Sequence, residues 1–212
     1  MLDLVLPLEC GGCGAPSTRW CAVCADELAV GPDAPRVVTP RIDPQVPVFA
    51  LGRYAGARRR AIVGVKDRGR ADLLTPLSHS LAAGLDRLLR WGLLSVPLTV
   101  VAAPTRGWSA RQRGGDPVTR IATLATAGHP DITVARALRM KPWARDSAGL
   151  NSAARERNIA GRVLLTRRRL PACGELLLVD DIVTTGATAR ESVRVLQAAG
   201  ARVSAVLALA AA

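Results

Sequence analysis

The clearest pattern in the chain is a run of leucines at helical spacing between residues 72 and 91. Their recurrence every three or four positions places them on one face and predicts an amphipathic helix over 72–91. A second helix is predicted over 117–127, because Pro lies at an early position and Gly128 follows the end. A third helix is predicted over 188–199, where Gly200 marks the end.

Short apolar runs between these helices have the character of buried strands. The predicted strands are 98–104, 131–138, 162–166, 175–181, 202–210 and the weakly alternating 48–55. Strands and helices that alternate along a chain form a parallel sheet with helices on both faces, so the predicted fold class is α/β. The stretch 141–161 is polar and arginine-rich and has no apolar period, which predicts a long loop.

The residues before 48 lack this pattern and divide the chain into three zones. Residues 1–30 are rich in Cys and Gly, whereas 31–47 carries five prolines and is predicted to be a linker or an extended edge. We therefore expect a small module at 1–30, a Pro-rich linker at 31–47 and an α/β domain at 48–212.

The chain of 212 residues has a formal net charge of +12, which is spread unevenly. Residues 98–170 hold fourteen Lys and Arg against four Asp and Glu, whereas 1–30 holds four acidic residues against one Arg. A basic surface attracts polyanions, either nucleic acid or a phosphorylated small molecule. A solvated surface is the alternative for each arginine run, and charge alone assigns no function to the runs at 58–60 and 167–169.

The first residues do not have the pattern of a secretion signal, because Asp3 and Glu9 are acidic and no basic leader is present. The apolar stretch 203–212 is too short to cross a bilayer. These features predict a cytoplasmic protein. Thiols remain reduced there, and closely spaced cysteines more often hold a metal than a disulfide.

A predicted strand, two acids and a turn rich in threonine follow one another in 176–188, LLLVDDIVTTGAT. Asp180 and Asp181 come at the carboxyl end of the strand, where ligands bind in open parallel sheets. Their carboxylates can accept hydrogen bonds from ribose hydroxyls or meet Mg²⁺. Gly186 permits a tight turn, and the threonine hydroxyls, the backbone N–H groups and the next helix suit a phosphate. The alternative is a surface turn with incidental acids.

Four cysteines near the start have the spacing C-x2-C-x7-C-x2-C. They are Cys10, Cys13, Cys21 and Cys24. Four thiolates without His suit a closed, tetrahedral Zn²⁺ site, and the metal would supply folding energy to a module too small to fold alone. A redox dithiol pair and unligated cysteines are the alternatives. The acidic charge of 1–30 favours a scaffold or partner contact over DNA binding, and Cys173 is predicted to be a bystander.

The two motifs together resemble one family. The string 176–188 is similar to the signature of type I phosphoribosyltransferases, and its combination with the cysteine module resembles the competence protein F family, ComF, with its relative GntX. Tyr54 through Lys66 to Gly69 is similar to a further segment of that family. Two later segments also agree, through Arg111 with Arg113 and through Arg139, Leu150, Arg155, Arg157 and Asn158. The chain departs from the family at 114–117 and at Ser147, which bear on contacts with a second substrate.

The resemblance implies a type I phosphoribosyltransferase-like sheet with a small zinc-ribbon-like module before it. It implies that Asp180 and Asp181 hold the ribose of phosphoribosyl pyrophosphate as catalytic residues, with Mg²⁺. The residues that would wrap the 5′-phosphate are Thr184, Thr185, Gly186, Ala187 and Thr188. The cations that would meet pyrophosphate are Lys66, Arg106, Arg111 and Arg113. The contacts of a loop closing over the site would be Arg155, Arg157 and Asn158.

Three functions follow from these features. The first is an enzyme that moves the phosphoribosyl group to an acceptor that no residue identifies. The second, implied by the resemblance, is a non-catalytic DNA-uptake factor that binds single-stranded DNA beside a helicase-like partner, which the arginine-rich region suits. The third is a regulator that senses the sugar phosphate without turnover.

Overall fold

A computed structural model describes residues 8–104, 116–141, 161–166, 170 and 174–212. Its helices are α1 (Ala22–Leu28), α2 (Gly56–Arg68), α3 (Leu74–Arg90), α4 (Pro117–Ala125) and α5 (Ala187–Ala198), with a 3₁₀ turn at Ala71–Leu73. Its strands are β1 (Arg36–Val37), β2 (Val48–Ala50), β3 (Leu98–Ala102), β4 (Ile132–Ala135), β5 (Leu138–Met140), β6 (Val163–Leu165), β7 (Glu175–Val183) and β8 (Val203–Ala211).

Six strands form one sheet in the order β1-β2-β8-β7-β3-β4. All neighbours from β2 to β4 are parallel, and β1 adds an antiparallel edge. A separate antiparallel pair, β5 and β6, lies outside it. The prediction of a mixed α/β fold with a mostly parallel sheet is therefore confirmed.

Side chains of the central strands alternate between two apolar clusters, as expected when both faces of a sheet are covered. In β7, Leu177 and Val179 belong to the cluster that contains residues of α2, α3 and α4, whereas Leu178 belongs to the cluster that contains residues of α5. The leucine helix predicted over 72–91 is confirmed as α3, whose buried leucines fill the first cluster.

The start of α4 is determined by a capping side chain and a proline, of which the sequence analysis identifies the proline. Asp116 is the N-cap of α4 and accepts hydrogen bonds from the Thr119 N–H (3.1 Å) and hydroxyl (2.6 Å). Pro117 then occupies the first turn, as predicted. The strand predicted over 131–138 is wrong in extent, because it divides into β4 and β5, which belong to different sheets.

Helices α1 and α2 were absent from the sequence-based prediction, and both connect the cysteine region to the sheet. The Glu27 carboxylate accepts a hydrogen bond from the Ala57 N–H at the start of α2 (2.8 Å). The Arg58 guanidinium is buried and donates to the carbonyls of Leu28 (2.8 Å) and Leu209 (3.2 Å). The N-terminal module is therefore packed on the α/β core through α2.

The Pro-rich segment 31–47 also contacts the core. It contains β1 at the sheet edge, the second of the two structures expected for it. Beyond β1, the Val38 N–H donates to the Val48 carbonyl (2.9 Å), and Val38 and Val46 pack against the apolar cluster on the α5 face. The Ile42 N–H donates to the carbonyl of Thr185 (2.8 Å), in the predicted phosphate loop.

Candidate functional site

The two acids of the motif are the sixth and seventh of the nine residues of β7. Asp180 is opposite Ala208 and Ile182 is opposite Ala210 of β8, so the strand continues two residues beyond Asp181. Each acid keeps only 8 % of its surface exposed. The strand predicted over 175–181 thus extends to Val183. Asp180 and Asp181 therefore lie within the strand and not after its end, and both are buried.

Lys66, at the C-terminal end of α2, lies at this pair of acids. Its Nζ is 2.5 Å from Asp181 Oδ2. Burial alone would lower the pKa of Lys66, but the charge and hydrogen bond of Asp181, helped by the charge of Asp180, raise it above its usual value. The structure therefore brings Lys66 to two neighbouring acids that lie more than a hundred residues later in the sequence.

Asp180 has a different electrostatic environment from its neighbour. Burial raises the pKa of Asp180 well above its ordinary value, and the negative charge of Asp181 raises it further. A hydrogen bond from the Asp181 N–H to Asp180 Oδ1 (2.8 Å) and the charge of Lys66 act in the opposite direction. Asp181 thus pairs with Lys66. Asp180 favours its own protonated form when no further cation or hydrogen-bond donor is present.

The turn after β7 leaves several backbone donors without a partner. Among the described residues, no acceptor takes a hydrogen bond from the N–H groups of Thr184, Thr185, Gly186 or Thr188. The Ala187 N–H donates to Thr185 Oγ1 (3.4 Å), and α5 begins directly afterwards. Successive N–H groups at the start of a helix form a concave donor site that suits an anion.

Gly186 is the N-cap of α5 and has a left-handed backbone conformation, with φ of 85°. A Cβ at this position would overlap the carbonyl oxygen of Ile42 and would lie 2.8 Å from the Cβ of Pro40. The glycine is therefore required by the Pro-rich segment as well as by the turn. Pro40 and Ile42 are not recognisable as site residues from the sequence, because nothing near them in the chain indicates which distant loop they contact.

The remaining predicted ligand contacts lie outside the described residues. They are Arg106, Arg111, Arg113, Arg155, Arg157 and Asn158. Most of the arginines that motivated the DNA hypothesis are also outside, so that hypothesis stays a prediction. Within the described part, the Glu191 carboxylate of α5 accepts a hydrogen bond from the N–H of Gly161 (2.8 Å), the last residue of the loop predicted over 141–161. Glu191 is buried and was not identified from the sequence.

The four predicted metal ligands come together. The four Sγ atoms all lie within 4.8 Å of one another, and they belong to Cys10, Cys13, Cys21 and Cys24. Cys13 Sγ and Cys21 Sγ are 3.6 Å apart. Four sulfurs at about 2.3 Å from a tetrahedral Zn²⁺ would be about 3.8 Å from one another. The cluster can therefore bind a metal such as zinc.

The surroundings of the cluster favour the thiolate form of Cys10 but not that of Cys24. Burial opposes ionisation of Cys10, but N–H groups of Cys13, Cys21 and Gly12 direct hydrogen bonds at its sulfur and lower its pKa to about 6. Burial raises the pKa of Cys24, and hydrogen bonds to the other cysteines raise it further. A Cβ on Gly12 would overlap Cys24 Sγ, which explains the second of the two glycines between Cys10 and Cys13.

Comparison with known proteins gives no match to a protein-family model and no match to a curated sequence. Of the described helices, none combines the length and apolar character that crossing a bilayer demands. The chemistry that the described residues offer is a pair of buried carboxylates, a lysine, a turn whose N–H groups find no acceptor among those residues, and a cluster of four thiols.

Proposed function

We propose that this chain binds a ribose 5-phosphate group, as part of phosphoribosyl pyrophosphate together with Mg²⁺, and that it is a ComF-type, phosphoribosyltransferase-like protein. The observation that carries the proposal is the placement of two different recognition chemistries within nine residues of one strand and turn. Asp180 and Asp181 supply buried acceptors, and the turn before α5 supplies N–H donors that have no acceptor in the described part of the chain, those of Thr184, Thr185, Gly186 and Thr188.

Each chemistry matches one part of the ligand. Ribose hydroxyls are donors that two adjacent carboxylates can bind, and the cost of burying the charge of Asp180 is offset when a donor or cation arrives. A phosphate is an acceptor with several oxygens, which the N–H groups of Thr184, Thr185, Gly186 and Thr188 suit. An uncharged or purely cationic ligand would leave one half of the site unused.

Mg²⁺ fits the same site because it is bound in proteins by one or two carboxylates, water and substrate phosphates. Asp180 and Asp181 are the residues that would hold it, directly or through water. When bound, Mg²⁺ supplies positive charge to a pyrophosphate group. Lys66 supplies a second positive charge at Asp181 and is placed to balance the carboxylates before any ligand is present.

Zinc is the metal that we propose for the four-cysteine cluster. Thiolate-only tetrahedral sets are typical of structural zinc sites, and the sulfur separations agree with that geometry. Its role is structural, because the cluster shares a small buried core with Ala57 of α2. The zinc module therefore has a structural role, which is separate from the ligand-binding role of the site at Asp180 and Asp181.

Isothermal titration calorimetry with phosphoribosyl pyrophosphate and Mg²⁺ tests the proposal. We expect saturable binding by the wild-type chain and at least tenfold weaker binding by Asp180→Asn and Asp181→Asn. Asp131→Asn is the matched control, because this exposed carboxylate precedes β4 and lies at the opposite, N-terminal edge of the sheet. Absence of binding by the wild-type chain at millimolar ligand would refute the proposal.

Transfer requires an additional measurement. Moving the phosphoribosyl group to an acceptor breaks the bond between the anomeric carbon and pyrophosphate, so turnover releases pyrophosphate. Incubation with phosphoribosyl pyrophosphate, Mg²⁺ and a panel of nucleobases, followed by a pyrophosphate assay, separates an enzyme from a sensor of the sugar phosphate. If the chain binds phosphoribosyl pyrophosphate but no added nucleobase stimulates the release of pyrophosphate, the protein is assigned as a sensor.

A further inference from the structure

We propose that segment 39–43, within the Pro-rich stretch 31–47, is a positioning element for the phosphate loop, and that it acts by fixing the orientation of the Thr185–Gly186 peptide. The inference rests on the proposed function and adds a second, distant part of the chain to the site. Ile42 is the positioning residue, and it acts through its backbone rather than through its side chain.

The first observation is the hydrogen bond between the Ile42 N–H and the Thr185 carbonyl (2.8 Å). In a trans peptide the carbonyl and the following N–H point in opposite directions. When the Thr185 carbonyl faces Ile42, the Gly186 N–H must face away from the segment. That N–H is one of the loop donors that find no acceptor among the described residues. The segment thus holds it available for an anion.

The second observation is the close fit of the segment against Gly186. A Cβ there would overlap the Ile42 carbonyl oxygen and would lie 2.8 Å and 3.0 Å from Pro40 Cβ and Cγ. The opposite peptide orientation would point the Gly186 N–H at this crowded side and remove the acceptor of the Ile42 N–H. The segment therefore disfavours the flipped peptide by both sterics and hydrogen bonding.

The third observation is that the segment is held at both ends. Before it, the Val38 N–H donates to Val48, and after it, the Pro47 carbonyl accepts from the Val206 N–H (2.9 Å). Between them the Asp43 carboxylate accepts from the Gln45 N–H (2.7 Å) and closes a turn. A segment fixed by two strands, with Pro40 inside it and Pro44 directly after it, can impose its geometry on the loop rather than follow it.

The test compares two substitutions at one position, with ribose 5-phosphate as the probe. Ile42→Pro removes the N–H donor, whereas Ile42→Ala keeps the donor and shortens only the side chain. We expect ribose 5-phosphate affinity to fall at least tenfold in Ile42→Pro and to stay within threefold of wild type in Ile42→Ala. In ¹H–¹⁵N spectra, the Gly186 amide should shift on titration in wild type and Ile42→Ala but not in Ile42→Pro.

Equal binding by Ile42→Pro and wild type would overturn the inference and leave the proposed function intact. Failure of the wild-type chain to bind ribose 5-phosphate would overturn the inference, and failure to bind phosphoribosyl pyrophosphate with Mg²⁺ would defeat both the inference and the proposed function. Hydrogen exchange on the wild-type chain covers the case in which Ile42→Pro does not fold. Ligand should slow exchange of the Ile42 amide more than that of the Val38 amide, and an unchanged Ile42 rate at saturation would also overturn the inference.

Discussion

Asp180 and Asp181 are adjacent in one strand, but they have different charge partners. Asp181 has a cation at hydrogen-bond distance, whereas Asp180 is equally buried and has no cation in direct contact among the described residues. A buried charge without a partner costs free energy, and breaking a pair costs more than removing both members. The two residues should therefore respond in opposite ways to the same substitution.

We expect Asp180→Asn to leave the unligated protein equally or more stable at pH 7, because it removes a carboxyl whose ionised form burial disfavours. Asp181→Asn should lower stability by about 1 kcal/mol, a modest value because Lys66 is 42 % exposed and water screens the pair. Thermal unfolding of both variants without ligand checks this. The reverse order of stability would contradict the charge assignment.

The raised pKa of Asp180 also predicts a pH dependence. The folded chain keeps a proton on Asp180 at pH values where an unfolded Asp, with a pKa of about 3.9, has lost it. The free energy of unfolding that Asp180 contributes must therefore decrease as pH rises from about 4 through the folded pKa. Urea unfolding from pH 4 to 8 measures this contribution as the difference in the free energy of unfolding between wild type and Asp180→Asn. A constant difference would be the contradictory result.

Residues of the site differ in how far sequence could predict them. The string 176–188 was recognisable, because strand, acids and turn are contiguous. The sequence places Arg58 in a charge run, yet the residue is only 4 % exposed and burial lowers its pKa to about 10. Its acceptors, the Leu28 and Leu209 carbonyls, lie on elements at the two ends of the chain. No local pattern contains that information.

At the scale of elements, α2 connects the two functional regions. Its first turn receives the Glu27 carboxylate and touches the cysteine cluster through Ala57, and its last turn carries Lys66 to Asp181. Its buried stripe consists of small and β-branched residues interrupted by three arginines. Hydrophobic periodicity is weak in such a stripe, which is why the leucines of α3 were recognised and α2 was not.

The close packing of α2 gives a prediction at Gly64. Alanine normally favours a helix over glycine by about 1 kcal/mol, but a Cβ on Gly64 would lie 2.6 Å from Cδ1 of the fully buried Leu73. Overpacking costs about 1–3 kcal/mol, so we expect Gly64→Ala to lower the free energy of unfolding. Gly128→Ala, which meets open space, is the control. A stabilised Gly64→Ala would show that Leu73 moves without cost.

At the scale of the whole molecule, sequence could predict the class of the sheet but not its order. Apolar runs and alternation with helices indicate parallel strands. They do not indicate that β8 lies between β2 and β7, or that β1 is antiparallel, because strand order is set by long-range packing. The packing of the cysteine module and of the segment 39–43 on the core is also a long-range property.

The connection between module and core predicts that metal loss affects the entire chain. We expect one zinc per chain by elemental analysis. Removal by a chelator, or Cys24→Ser, should lower the unfolding temperature of the whole protein by about 5 °C or more, because α1 supports α2 through Glu27 and Leu28. Cys173→Ser is the control outside the cluster. An unchanged unfolding temperature in the metal-free protein would exclude a structural metal.

The central place of β8 has a consequence for how the protein is made. β8 follows every other described strand in the chain, but it alone joins β1 and β2 to β7, β3 and β4. A ribosome therefore exposes the N-terminal strands long before the strand that completes their sheet has been synthesised. During that interval the apolar side chains of β2 and α2 lack their final cover. Nascent chains should consequently depend on chaperones until β8 has left the ribosome.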